Sequence, residues 1–216
     1  MKEVLLDADI REPLFDYLEQ YCGKVRFLEE KVTGKARADV VMVLPDKVCG
    51  IEIKSDADSY QRLSTQVRDY DQYFDYNCIV AGMSHREHVA EHVPPSWGII
   101  VVSGEKEHVS FEIQRPMLLN PGRDMKKKMS ILWRPELQQL LAVNHLPAYR
   151  EKSKVYVAAV LLDRVPHHIL QQQISDTLFE RDYTLIAAQL DAYRKDHGKR
   201  PAVRVRRRVR RRRRRA

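Results

Sequence analysis

No stretch of this chain approaches the roughly 18 consecutive apolar residues that a membrane-spanning helix needs, so a helical span is not expected. The opening MKEVLLDADI lacks the basic and apolar regions of a secretory signal, which leads to the expectation of a cytoplasmic protein. Cysteine is scarce. Cys22, Cys49 and Cys78 are odd in number and widely spaced, and two of them sit in apolar runs, so reduced core thiols are expected rather than a disulfide framework or a zinc site. There is no glycine-rich phosphate loop and no G-x-S-x-G nucleophile motif, which removes the P-loop and serine-hydrolase classes. No internal repeat is present.

What the sequence does have is charge, unevenly placed. From Arg194 onward there are 14 Lys and Arg against one acid, Asp196; the net +8 of the chain is therefore +13 in this stretch and −5 before it. The tract RVRRRVRRRRRRA has no apolar periodicity and repels itself, so residues 198–216 read as a disordered basic tail. Arginines in such a tract, among them Arg204, Arg206, Arg207, Arg208, Arg210, Arg211 and Arg212, neutralise phosphates and release counterions. DNA, RNA and anionic surfaces all satisfy that chemistry.

The hydrophobic pattern divides the rest. Asp9 and Glu12 are spaced as a capping box, and Ile10, Leu14, Leu18 and Tyr21 fall at helical spacing up to Gly23. KVRFLEEKV, DVVMVL and VCGIEIK read as three strands, and residues 59–74 as an amphipathic helix with Leu63, Val67, Tyr70 and Phe74 on one stripe. YNCIVAG, a short helix near 84–92, WGIIVVS and HVSFEIQ follow. This order predicts an α/β domain with a mixed sheet over residues 1–115. Pro, Gly and lysine in RPMLLNPGRDMKKK mark a linker at about 116–130, and residues 131–197 read as helix throughout. In that region a short helix, a basic link with Arg150, Lys152 and Lys154, and a further helix loosely resemble the SAP-type DNA-binding module.

The stretch VCGIEIKSDAD carries the chemistry. Successive strand residues face opposite ways, so Glu52 and Lys54 share one face and Ile51 and Ile53 the other. Asp39 opens the preceding strand, twelve intervening residues before Glu52, and a tight turn places it beside this pair. Two carboxylates suit Mg²⁺ or Mn²⁺, hard ions that keep waters and accept phosphate oxygens. Such an ion polarises a phosphodiester and lowers the pKa of its water, and Lys54 can orient that water or offset charge on the phosphate. The bland alternative is an exposed ion pair at a strand edge, which would contribute little. The apolar neighbours of Glu52 argue against it.

D-x(12)-E-I-K, in the order α-β-β-β-α-β, resembles the PD-(D/E)XK nuclease superfamily, with its restriction-endonuclease-like fold. RADVVMV, GIEIKSDADSYQRLSTQVRDY, PPSWGIIVV and ILWRPEL together resemble its Sce-type family of small bacterial and phage proteins, over roughly residues 5–180. The resemblance implies metal ligands at Asp39 and Glu52, a catalytic lysine at Lys54, and a Q-x-x-x-Y pair at Gln66 and Tyr70, one turn apart on a helix face. A supporting glutamate falls on Glu12, which reads equally as a capping partner, with Glu29 or Glu30 as alternatives. Ala38 stands where the superfamily's name has Pro, a variation that removes no ligand.

Weaker clusters remain. His85, His88 and His92 could line one helix face and hold zinc, but no cysteine accompanies them and a solvated face is expected. Lys126, Lys127 and Lys128 either touch phosphate or keep a linker solvated. The resulting expectation is a Mg²⁺-dependent deoxyribonuclease associated with the nucleoid, acting in DNA repair, defence or phage DNA metabolism. The alternative is a non-catalytic DNA-binding or regulatory protein that keeps the fold; a third reading is an RNA adaptor working through the tail.

Overall fold

The computed structural model of the protein describes residues 4–33 and 36–181. Helix α1 (Asp7–Cys22) is followed by β1 (Arg26–Thr33), β2 (Ala36–Val43) and β3 (Val48–Lys54). A 3₁₀ turn at Tyr60–Arg62 leads into α2 (Leu63–Tyr73), then β4 (Tyr76–Gly82), a second 3₁₀ turn at Met83–His85, and α3 (Val89–His92). The hairpin β5 (Gly98–Glu105) and β6 (His108–Arg115) precedes four helices: α4 (Met125–Met129), α5 (Arg134–Val143), α6 (Lys154–Arg164) and α7 (His167–Phe179). Among the described residues, no helix is long and apolar enough to cross a membrane.

The six strands lie in sequence order in one mixed sheet, with β3, β4 and β5 parallel and the other neighbours antiparallel. The two parallel pairings need crossovers, which α2 and the α3 segment supply. Central strands covered on both faces should read as continuous apolar runs. β3 is buried along its whole length, and β4 at every position after Tyr76. Edge strand β6 alternates exposed and half-buried residues, as a strand with one wet face does.

Each face of the sheet builds its own cluster. On one, Val40, Met42, Ile51, Ile53, Val80 and Ile100 pack with Ile10, Leu14 and Leu18 of α1. On the other, Val41, Val48, Ile79 and Val101 pack with Leu63, Tyr70 and Phe74 of α2 and with residues of all four C-terminal helices. Leu137, Leu161, Leu170 and Ile174 belong to this second cluster, so the helical region and the sheet share one core.

Several sequence expectations shift in detail. Helix α1 begins three residues early, because Leu6 is its N-cap and the Asp9 carboxylate accepts the Leu6 N–H at 2.9 Å. Asp9 is thus inside the first turn, and Glu12 is not its capping partner. The helix expected near 84–92 is two short pieces broken at Arg86. The proposed linker contains α4, whose cap is Asp124, accepting from Lys126 N and Lys127 N. All three cysteines are free thiols. The segment beyond Arg181, with the end of the region expected to be helical and the basic tail, lies outside the described residues.

Candidate functional site

The question set by Glu52 and Lys54 has a geometric answer. Alternation along β3 places them on the face of Val48 and Gly50, the face that α2 covers, and alternation along β2 puts Asp39 on the face of Val41 and Val43. Val40 pairs with Ile51 across the β2/β3 ladder, and the next step brings Asp39 to the end of β3. There its Oδ2 accepts the Ile53 N–H at 3.0 Å. The close approach of α2 is permitted by Gly50. A Cβ at that position would lie 2.7 Å from Tyr70 Cδ1 and would also overlap the Phe74 ring.

Glu52, fully buried, is the centre of the network. Lys54 Nζ donates to its Oε1 at 2.7 Å, Gln66 Nε2 donates to the same oxygen, and the Tyr70 hydroxyl donates to Oε2 at 2.8 Å. Tyr70 also accepts the Asp39 N–H at 3.1 Å, so one phenol ties the backbone of β2 to the carboxylate of β3. Gln66 and Tyr70 are four residues apart and meet one site, as the helical repeat requires.

Burial governs the protonation states. Withdrawal from water pushes Glu52 from 4.5 up to about 7; the nearby Asp39 charge adds to this, and Lys54 opposes it. Burial also raises Asp39, against the Ile53 N–H and the Lys54 charge. The Tyr70 phenol is held well above its ordinary value, first by burial and then by the two carboxylates, so it remains a donor. Two carboxylates whose proton affinities burial raises, beside a buried ammonium, form the kind of perturbed cluster that functional sites carry.

Residues 3–196 match the family described as bacteriophage P4 protein cII. The chain belongs to the bacteriophage P4 protein cII family. No curated protein and no solved structure matches it.

In this member of the P4 protein cII family, Asp39, Glu52, Lys54, Gln66 and Tyr70 come together as the sequence places them, whereas Glu12 does not join them. It is exposed on α1. The side chain of α1 that reaches the site is Arg11, whose Nη1 donates to the Asp39 carbonyl at 3.1 Å and whose Nε pairs with Asp7 at 2.8 Å. Asp7 adds its charge to the surroundings of Asp39 and has one buried carboxylate oxygen without a hydrogen bond. The only sequence trace of these two residues is an i, i+4 charge pair in the first helical turns. Glu29 contacts Arg11 at 3.2 Å and so lies in the outer part of the same network. The side chain of Glu30 is outside what is described.

The other candidates separate. Lys128 is a correction: it is buried and paired with Asp75, so it does not present itself to phosphate. Lys126 and Lys127 are exposed. The three histidines do not form a ligand set; His85 Nε2 contacts the Ser55 carbonyl at 3.0 Å, His88 faces Glu91, and His92 stacks on Tyr60. The arginines from 204 onward lie outside the described residues.

At the carboxylate site a divalent cation would meet two carboxylates, Asp39 and Glu52, both already accepting hydrogen bonds from protein donors. Among the described residues, no group of three or more His, Cys, Asp or Glu gathers to hold a metal, so a closed protein cage is not built. Mg²⁺ does not need one, since one or two carboxylates with waters and phosphate oxygens suffice. Asp39 and Glu52 supply that pair, and Gln66 Oε1 is a buried oxygen without a donor, an acceptor beside Glu52 that a cation's water would satisfy.

Proposed function

We propose that the protein is a divalent-metal-dependent deoxyribonuclease whose site is Asp39, Glu52 and Lys54, supported by Gln66 and Tyr70. The observation that carries this reading is the buried Glu52, which draws Lys54, Gln66 and Tyr70 to one end of β3 beside Asp39. A fold gains little from burying a carboxylate whose proton affinity is raised to about 7, and such an arrangement is retained where chemistry uses it. The chemistry that a divalent cation contributes at two carboxylates is Lewis-acid polarisation of a phosphodiester and activation of water. Lys54 holds a positive charge where the phosphate would gain negative charge. Tyr70 and Gln66 hold Glu52 in one rotamer, and Tyr70 fixes the β2 strand that carries Asp39.

Cleavage of plasmid and linear DNA should require Mg²⁺ or Mn²⁺. It should vanish in Asp39→Ala and Glu52→Ala while DNA binding persists. Undiminished cleavage by both variants, with contaminating nuclease excluded, would overturn the assignment. Calorimetry with Ca²⁺ provides a readout independent of turnover: binding should be lost in Glu52→Ala and retained in Lys54→Met.

One observation favours a second reading, a DNA-binding protein without catalysis. Both oxygens of Glu52 are already engaged by protein donors. Absence of Ca²⁺ or Mn²⁺ binding in the wild-type protein, with DNA binding intact, would select that reading.

A further inference from the structure

At the opposite end of β3, about 20 Å from the carboxylate site by strand rise, lies a cavity of about 950 Å³. Its walls come from the turn before β3 (Lys47), the segment around α4 (Arg123, Lys126, Lys128) and the start of α7 (His167, His168). Four basic side chains, one of them the buried Lys128, line it against two carboxylates, Asp75 and Asp124. Both carboxylates are engaged. Asp75 accepts from Val48 N, Gln171 Nε2 and Lys128 Nζ, and Asp124 caps α4. Two of the cations are paired, Lys128 with Asp75 and Lys47 with the exposed Asp46, and the other two are less fully used. Among the described residues no carboxylate pairs with Lys126, and Arg123 is 3.9 Å from Asp75 with its side chain 41% exposed.

We propose that this cavity binds a phosphorylated ligand of nucleotide size, with the phosphate on Arg123, Lys126 and Lys47. A volume near the upper end of the roughly 300–1,000 Å³ of small-molecule sites exceeds what an inorganic anion fills. Leu119, Pro121, Met125 and Leu162 line the same cavity, giving a sugar or base apolar surface beside the cations. Arg123 is already oriented, since its Nη1 donates to the Asn120 carbonyl at 2.8 Å, and a planar guanidinium held in this way suits a phosphate. The start of α7, whose N-cap Pro166 offers no side-chain cap, opens beside it and adds to the anion preference without being needed for it. The ligand chemistry has two sources, a free nucleotide or the 5′-phosphorylated end of a nucleic-acid strand. Binding here does not depend on whether the carboxylate site hydrolyses anything.

The test compares the full-length protein with Arg123→Gln/Lys126→Gln, two exposed substitutions whose folding is checked by thermal melting, and with Lys126→Gln alone. The arginine tail is common to all and cancels. Calorimetric titration with deoxyadenosine 5′-monophosphate should show binding weakened at least tenfold in the double variant and less in the single one. Short single strands carrying a 5′-phosphate or a 5′-hydroxyl distinguish the sources. Weakening confined to the 5′-phosphorylated strand and the mononucleotide assigns the site to strand ends; weakening of the mononucleotide alone assigns it to free nucleotides. No mononucleotide binding by the wild-type protein, equal affinity in wild type and double variant, or equal weakening of both strands with the mononucleotide unaffected would each overturn the proposal.

Discussion

Replacing Glu52 by Gln should make the protein more stable at pH 8 while removing its proposed activity. In the folded protein Glu52 titrates near 7 against an ordinary 4.5. Between those values the folded state holds a proton that the unfolded chain has released. Stability from this group is therefore fully present below about pH 4.5 and is lost as pH rises through 7. At about 1.4 kcal/mol per tenfold change in proton affinity, ionised Glu52 costs about 3 kcal/mol above pH 7. An amide is neutral at every pH but replaces one acceptor by a donor. Tyr70 must then turn its proton toward the Ile51 carbonyl, 3.4 Å away, and about 1 kcal/mol is lost with the hydrogen bond. The balance is about 2 kcal/mol in favour of Glu52→Gln at pH 8, or about 4–8 °C in Tm for a protein of this size. Paired thermal melts from pH 4 to 8 cancel the titration of other groups, and the gap should open between 4.5 and 7. Added Ca²⁺ at pH 8 should raise the wild-type Tm and close part of it. A variant that is no more stable than wild type at pH 8, or a gap that does not change with pH, would refute the reasoning.

Gly50→Ala should destabilise by about 2–3 kcal/mol in denaturant titrations and displace Tyr70 from Glu52, because its methyl group meets the Tyr70 and Phe74 rings in a buried interface. Asp75→Ala leaves the Lys128 ammonium buried and unpaired, and removes the acceptor for Val48 N and Gln171; urea unfolding should show a loss of about 3–5 kcal/mol. Removing residues 203–216, which hold ten arginines between 204 and 215, should flatten the plot of log affinity for duplex DNA against log salt by about 0.9 for each phosphate that is no longer neutralised. At saturating DNA and low salt the cleavage rate of the truncated protein should be unchanged.

The central part of this site could be read from the chain because local periodicities determine it. Two charges at period two in VCGIEIK can only share a face, and Asp39 is carried to them by the short β2–β3 turn; Gln66 and Tyr70 are implied by the family resemblance, and helical spacing adds only that they share a helix face. What could not be read depends on packing between distant segments. Asp75 and Lys128 are 53 residues apart and look like ordinary surface charges until α4 closes over the start of β4. Arg11 reaches Asp39 only once α1 has docked on the sheet. Glu12 was ambiguous because the start of α1 was. With Leu6 as N-cap the helix is set by an apolar residue that no capping rule favours, and Glu12 turns outward. The division near residue 115 followed a real change in composition. Composition does not report that Leu137, Leu161 and Leu170 join the same hydrophobic cluster as Tyr70 and Phe74.

That shared core bears on how members of this family can diverge. Side chains from before residue 115 and after residue 130 belong to one cluster, so a larger residue at Leu170 or Leu161 has to be answered by a smaller one elsewhere in it. The C-terminal helices are therefore not a module that recombination can exchange while leaving the sheet unaltered. Relatives should instead show compensating substitutions across the junction, with the Asp75–Lys128 pair gained or lost together. A chimera that joins the sheet of one member to the helices of another should inherit mismatched packing rather than a new specificity.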